Sequence, residues 1–295
     1  MQARLSHYLL LHFIVFIWGF TGILGKIISV KEDVLVWWRM LMVVVVLASY
    51  MLVFHRDKFK ITAKFWWITF GTGIVIALHW IFFYGAIKLA NASVAAAMMA
   101  VASFFTAFLQ PLFYKTKIVL YELVLSIGVI IGVSILMGVE TGYMEGFIWG
   151  LISAFFSALF TVINGLLVKK ADSVSITFYE MIGGFIGISI YILLIGKMTG
   201  DQLAISEHDM WYLLLLSVCC TAFPFVASVW LMKYVSPYTV SISVNLEPIY
   251  TFIMAIILWP EEEKMGPGFY LGSAIILLSV FANSWIKAGK RKLEI

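Results

Sequence analysis

Apolar residues in this chain fall into ten runs of roughly 20 residues, and these runs constrain the fold more than any other feature. A helix of about 20 residues rises about 1.5 Å per residue, enough to cross the ~30 Å hydrocarbon core of a bilayer. The chain is 63% hydrophobic and 12% charged, whereas soluble domains are about half apolar and a quarter charged. The sequence therefore predicts an all-α integral membrane protein. Its ten predicted transmembrane helices are 8–28, 34–54, 65–87, 92–114, 118–139, 146–168, 175–196, 211–232, 238–260 and 267–287.

The distribution of basic residues between alternate loops predicts the orientation. Fourteen of the 20 Lys and Arg residues fall on the side that holds both termini, and four fall on the other side. Because loops rich in Lys and Arg stay in the cytoplasm, we expect both termini to be cytoplasmic. The same loops account for the net charge of +4, so the expected partner is the lipid bilayer, not nucleic acid.

The two halves of the chain match weakly as a repeat. A displacement of 145 positions brings Thr106 onto Thr251, and one of 141 positions brings Arg39 onto Glu180. Halves of five helices with both termini on one side must be inverted relative to each other. We therefore predict two inverted five-helix repeats, 1–145 and 146–295, in one compact transmembrane domain. This architecture is typical of secondary transporters.

Four ionisable residues lie inside spans, where such groups are costly and are functional candidates by default. Glu247 and His79 lie near the middle of spans nine and three, and Arg39 and Glu180 lie nearer to opposite faces. Glu247 could carry a proton or bind a cation, and Arg39 could pair with an acid or bind a carboxylate. His79 could bind substrate or a neighbouring helix, and Glu180 could be an ion-pair partner or part of a gate.

Two prolines lie at mid-depth in spans eight and nine. Pro224 frees the carbonyl of Cys220, and Pro248 frees that of Val244, so each should kink its helix. Irregular helices at this depth are tolerated where they line a water-filled cavity. We therefore predict that both prolines line such a cavity.

A mixed polar and aromatic stripe follows span nine at helical spacing. It comprises Ser243, Glu247, Tyr250, Thr251 and Met254. Such a stripe suits the wall of a cavity for an amphipathic solute, and Trp18, with other aromatic residues, could extend that wall.

Other charged residues have simpler interpretations. Lys26 and Lys88 lie near span ends, where their long side chains should reach water. The acidic residues at 261–263 are expected to be solvated loop charges.

Motifs for other chemistry are absent from the sequence. There is no phosphate-binding glycine loop with its lysine, no metal-ligand spacing, and no Ser, His and acid arrangement for hydrolysis. The sequence therefore predicts no catalytic residue, no metal and no cofactor.

The segment Asn245-Leu246-Glu247-Pro248-Ile249, continued through Thr251 to Trp259-Pro260-Glu261, resembles span nine of the EamA-type branch of the drug/metabolite transporter superfamily. Trp18-Gly19-Phe20, Arg39, the stretch from Gly150 to Phe160, and Gly268 with Gly272 resemble other spans of that family. Pro260 departs from the family's glycine. Ala102 and Ser103 stand where the second half has Glu247 and Pro248, so we expect the mid-depth acid and kink in one half only.

The resemblance implies a ten-helix carrier of the bacterial inner membrane, a monomer or a homodimer. Such carriers export amino acids, other small metabolites or drugs by facilitated or proton-linked alternating access. A channel-like pathway without ion coupling is one alternative. An intramembrane enzyme that uses His79 and Glu247 is another.

Overall fold

The computed structural model describes residues 3–118, 120–139 and 141–293, and these residues fold almost entirely as helices. The first half contains α1 (Leu5–Ile27), α2 (Glu32–Phe54), α3 (Ala63–Leu89), α4 (Ala92–Met99), α5 (Ala102–Tyr114) and α6 (Leu120–Val139). The second contains α7 (Met144–Leu167), α8 (Ser173–Leu194), α9 (Gly200–Leu203), α10 (Glu207–Ser217), α11 (Phe223–Leu231), α12 (Pro237–Val244), α13 (Glu247–Leu258) and α14 (Pro267–Leu293). Two short 3₁₀ helices, Arg56–Phe59 and Thr141–Tyr143, and a π-helix, Val218–Ala222, complete the described elements.

Seven helical segments in the described part of the chain are long and apolar enough to cross a membrane. Three of them are composite. Ala92–Tyr114 joins α4 to α5, Thr141–Leu167 joins a 3₁₀ helix to α7, and Glu207–Leu231 joins α10 to α11 through the π-helix. Predicted span five coincides with α6, span nine with α12 and α13 together, and span ten with α14. The all-helical fold is thus confirmed, while the ten-helix count and the orientation of the termini stay predictions.

Helix boundaries recur between the two halves. α4 and α12 begin 145 positions apart, as do α5 and α13, and α2 and α8 begin 141 positions apart. These are the displacements that the sequence matches suggest. The division at residue 145 and the inverted relation of the halves stay predictions.

A break interrupts the fourth long helix of each half, which corrects the expectation of a kink in the second half only. α12 ends at Val244 and α13 begins at Glu247, while α4 ends at Met99 and α5 begins at Ala102. The first-half break contains no proline. Instead, the amides of Ala100 and Val101 bond to carbonyls three residues back, which tightens the helix locally.

Glycines allow the backbones of α3 and α8 to touch at mid-depth. A Cβ atom on Gly73 would lie 1.9 Å from the carbonyl oxygen of Glu180 and 2.7 Å from the amide nitrogen of Gly184. Small residues permit such close contact between membrane helices. The backbone of α8 at Glu180 is therefore held against α3.

Candidate functional site

A cavity lies at mid-depth between helices of both halves. Its wall contains Trp18 and Thr21 of α1, Arg39 of α2, and His79, Trp80 and Phe83 of α3. α7 contributes Ser157, Phe160, Thr161 and Asn164, α11 contributes Phe225 and Ser228, and α12 and α13 contribute Val240, Ser241, Val244 and Glu247. The space open to the centres of water molecules is about 70 Å³, room for roughly five waters. The cavity is therefore narrow, and its lining mixes polar, aromatic and aliphatic side chains.

The guanidinium group of Arg39 is fixed by three side chains. Its Nε donates to Thr221 Oγ1 at 2.8 Å, its Nη1 donates to the Tyr84 hydroxyl at 2.6 Å, and its Cζ lies 3.7 Å from the centre of the Trp80 ring. Thr221 belongs to the π-helix, and its hydroxyl donates to the Leu216 carbonyl at 2.7 Å. Because no carboxylate contacts Arg39 among the described residues, its charge is available to a bound anion.

Glu247 lies at the start of α13, directly after the helix break. It lines the same cavity as Arg39 and is 6% exposed. Within the described ranges, Glu247 forms no side-chain hydrogen bond and no ion pair, including none with Arg39. One cavity therefore presents an acid and a base that do not neutralise each other through direct contact.

His79 is oriented by Ser153 of α7. The ring Nδ1 lies 3.0 Å from the Ser153 carbonyl oxygen, and the Ser153 hydroxyl donates to the His79 carbonyl at 2.9 Å. If Nδ1 carries the hydrogen that the carbonyl accepts, Nε2 remains an acceptor in the neutral ring. His79 can therefore have both predicted roles, since it joins two helices and also lines the cavity.

Glu180 lies behind the cavity wall instead of on it. Its side chain is fully buried, and Nδ2 of Asn164 lies 3.5 Å from Oε2. Glu180 Oε1 and Asn164 Oδ1 have no hydrogen-bond partner. Because Asn164 also lines the cavity, its amide connects Glu180 to the space where a solute would bind.

The other predicted site residues lie in different places. Trp18 lines the cavity, but Ser243, Tyr250, Pro224 and Pro248 are not among the lining residues. Each proline adjoins a lining residue, Phe225 or Glu247, so the prolines shape the wall from behind.

The predicted stripe on span nine does not form one cavity wall. Tyr250 packs so closely on α1 that a Cβ atom on Gly19 would lie 2.7 Å from its Cβ. The Thr251 hydroxyl donates to the Gly19 carbonyl at 3.0 Å, and the Ser243 hydroxyl donates within its own helix to Thr239. The helix break and the two α1 contacts leave only Glu247 of this stripe on the cavity.

Several cavity residues are neutral, so a search for ionisable groups passes over them. Asn164, Thr161 and Phe160 of α7 line the wall, while Tyr84 and Thr221 hold Arg39. The sequence signal for Asn164 is an amide within an apolar run, which costs free energy in lipid unless it is hydrogen-bonded.

At the end of the bundle opposite the termini, Glu261 and Glu262 are exposed as expected, whereas Glu263 is buried and ion-paired. Lys26 Nζ lies 2.8 Å from Oε1 of fully buried Glu263 and 2.9 Å from Oε2 of Glu262. The Glu263 carboxylate also accepts the backbone amides of Ala92 at 3.1 Å and Ser93 at 2.9 Å. We call this contact the Lys26–Glu263 latch. Lys88 is exposed at the end of α3, as expected, and its ammonium group also donates to the carbonyls of Ile28 and Val30.

The start of α12 has a neutral counterpart of this latch. The amide of Tyr238, 145 positions after Ser93, donates to Gln110 Oε1 at 3.0 Å. One half-helix is thus capped by a charged, ion-paired carboxylate and its equivalent by an uncharged amide.

Within the described residues, no group of three or more His, Cys, Asp or Glu side chains is placed to hold a metal ion.

Comparisons with known proteins agree with this arrangement. The model of the EamA-like transporter family matches residues 5–138 and again residues 144–285. A solved crystal structure, titled only as that of a protein, has the same fold with a TM-score of 0.68 and 12% sequence identity. The match covers 94% of this chain and 96% of that one. The comparison with curated proteins gives no match.

Proposed function

Because the chain belongs to the EamA-like transporter family, whose members are multi-pass membrane transporters, we propose that it is a secondary carrier for small amphipathic zwitterions such as amino acids. In this proposal the carrier works by alternating access, exports its solute and is linked to protons. Its membrane is the bacterial inner membrane, with both termini in the cytoplasm, an orientation that the Lys and Arg distribution favours.

The observation that carries the proposal is the pair of unneutralised charges on one cavity. Arg39 offers donors to a carboxylate, and Glu247 offers acceptors to an ammonium group. A zwitterion would satisfy both groups at once, whereas a solute with one charge would leave the other group buried and unpaired. Trp18, Phe160 and Phe225 provide apolar surface for a side chain.

The size of the cavity favours a moving carrier over an open pore. Space for roughly five waters is too small for an amino acid with an apolar side chain. Binding therefore requires helices to separate. The breaks at 100–101 and 245–246 provide points at which half-helices can tilt.

Glu180 is the group to which we assign the coupled proton. α8 packs against α11 and against α2 and α3, the helices that carry Arg39 and His79 of the cavity wall. Neither forms an ion pair with Glu180 among the described residues, and its recorded partner is the neutral amide of Asn164. Among the described residues Glu180 therefore has no cationic partner, whereas Glu247 shares its cavity with Arg39.

Flux into proteoliposomes tests the zwitterion proposal with three matched probes. Radiolabelled phenylalanine carries both charges, phenethylamine lacks the carboxylate, and 3-phenylpropionate lacks the ammonium group. We expect phenylalanine to be preferred at least tenfold over both analogues. Glu247→Gln should remove the preference over 3-phenylpropionate and leave that over phenethylamine. Equal transport of all three probes by the wild type would refute the zwitterion site.

Recovery of the probe separates transport from the enzyme alternative. The labelled phenylalanine inside the vesicles should be chemically unchanged. A converted product that depends on His79 and Glu247 would instead favour an intramembrane enzyme.

A further inference from the structure

A second concave surface lies at the end of the bundle that carries the termini, between helices of both halves. It has a volume of about 600 Å³, within the range of about 300–1,000 Å³ that ligand pockets occupy. The start of α3, the end of α5 and the end of α7 form its walls. We call it the lysine groove, because Lys60, Lys64 and Lys170 line it. It shares no lining residue with the central cavity.

The charge of this groove is not balanced by protein groups. None of the three lysines forms an ion pair among the described residues, and no acidic side chain lines the groove. The nearby carboxylate of Asp172 pairs with Lys58 at 3.0 Å. Burial alone would raise the pKa of Asp172, but hydrogen bonds from Lys58 and the Val174 amide hold it below its ordinary value. Asp172 is therefore paired with Lys58 and does not neutralise the lysines of the groove.

Apart from Thr62, the remaining lining of the groove is apolar, and part of it is exposed. Ile68 is 41% exposed and Phe113 is 39% exposed, and Ile163, Leu166 and Leu167 continue the wall along α7. In the predicted orientation these side chains face the acyl region, and the lysines lie at headgroup depth. The groove therefore matches an amphiphile with an anionic head and an apolar tail.

We infer that the lysine groove binds an anionic phospholipid, with its phosphate between Lys60, Lys64 and Lys170 and an acyl chain along Ile68, Phe113 and Leu166. Basic pockets between membrane helices on the cytoplasmic side commonly bind anionic headgroups. A soluble phosphate would use the lysines but leave the apolar wall uncovered. The groove also adjoins the side of α7 opposite Thr161 and Asn164, so lipid there would brace a helix of the central cavity.

Binding of lipid to the purified full chain in neutral detergent tests the inference. Phosphatidylglycerol should bind, by native mass spectrometry, and should raise the thermal unfolding temperature. Phosphatidylcholine with the same acyl chains and sodium phosphate should do neither. The variant K60Q/K64Q/K170Q should bind phosphatidylglycerol on the order of a hundredfold more weakly, since each basic residue near an anionic membrane surface contributes about a fivefold factor.

The variant K115Q/K117Q/K233Q is the matched control, because it removes three lysines from the same end of the bundle but none from the groove. It should bind phosphatidylglycerol like the wild type. If both triple variants lose phosphatidylglycerol binding equally, the binding depends on general surface charge and the lysine groove is not a specific site. Stabilisation by sodium phosphate equal to that by phosphatidylglycerol would overturn the lipid as occupant.

A photoreactive phosphatidylglycerol keeps the inference testable if the triple variant does not fold. On the wild type, adducts should concentrate in residues 60–68, 113 and 163–171. Adducts spread evenly over the lipid-facing helices would contradict the inference. None of these readouts requires transport, so the groove and the carrier proposal can fail separately.

Discussion

The ammonium group of Lys26 lies 2.8 Å from the buried carboxylate of Glu263, and that carboxylate also caps the start of α4 through the amides of Ala92 and Ser93. α4 leads directly to Met99 of the cavity wall. The latch therefore joins α1, the loop before α14, and a half-helix that reaches the cavity.

Glu263→Gln should weaken the latch by about 2 kcal/mol, because hydrogen bonds to charged groups contribute roughly 1.5–3 kcal/mol each and the amide keeps only part of them. Thermal unfolding in detergent measures the change. Glu261→Gln is the control, since Glu261 is exposed and should leave stability unaltered.

The latch should also weaken in acid. Burial alone would raise the pKa of Glu263, but hydrogen bonds from Lys26 and the Ser93 amide hold it below the ordinary value of 4.5. The carboxylate's contribution is therefore complete above pH 4.5 and is lost as the pH falls below that value. The stability difference between wild type and Glu263→Gln should shrink on acidification, and a difference that grows would contradict this assignment.

Gly73→Ala should destabilise the protein by about 3 kcal/mol, because its Cβ would collide with the backbone of α8 and force the two helices apart. Gly71→Ala, on the same helix with no atom within 4 Å, should change stability by about 1 kcal/mol or less. The yield and unfolding temperature of the two variants provide the comparison. Similar behaviour of both would show that the α3–α8 contact is looser than described.

Arg39→Lys should weaken solute affinity about tenfold although it keeps the charge. A lysine ammonium cannot bond Thr221 and Tyr84 while stacking on Trp80 as the planar guanidinium does. The KM for phenylalanine measures the loss. Arg56→Lys replaces an exposed arginine at the start of the 3₁₀ helix that follows α2 and should leave KM unaltered.

The sequence predicts the helices well because each apolar run must be as long as the bilayer is thick. The start of α4 and the end of α5 coincide with the limits of predicted span four. The candidate site is less predictable, because ionisable groups signal their cost in lipid but not their neighbours. The sequence could thus identify Arg39, Glu247 and His79 as candidate site residues. It could not show that they line one cavity, because that depends on packing between helices far apart in sequence.

Two features had no usable sequence signal. The break between α4 and α5 has no proline, and its symmetry with the proline-linked break before α13 emerges only from the backbone. Glu263 is one of three consecutive glutamates, and only the amides of Ala92 and Ser93 distinguish it from its neighbours.

Glu180→Gln should abolish the accumulation of phenylalanine driven by a pH gradient while leaving exchange between the two sides intact. Gln has the shape of the protonated acid and can still contact Asn164, so the fold should persist. Thr177→Val removes another buried, unpartnered polar atom of α8 and should keep the pH-driven accumulation. If Glu180→Gln retains pH-driven accumulation, the coupled proton must be assigned to another group, and Glu247 is the first to test.

Counterflow in proteoliposomes tests the central claim, a carrier with one solute site between Arg39 and Glu247, most directly. Vesicles loaded with unlabelled phenylalanine should take up labelled phenylalanine faster than empty vesicles, and Glu247→Gln should reduce that uptake about tenfold or more. Uptake that is indifferent to the internal solute would indicate an open pathway, and acceleration that survives in Glu247→Gln would place the solute site elsewhere.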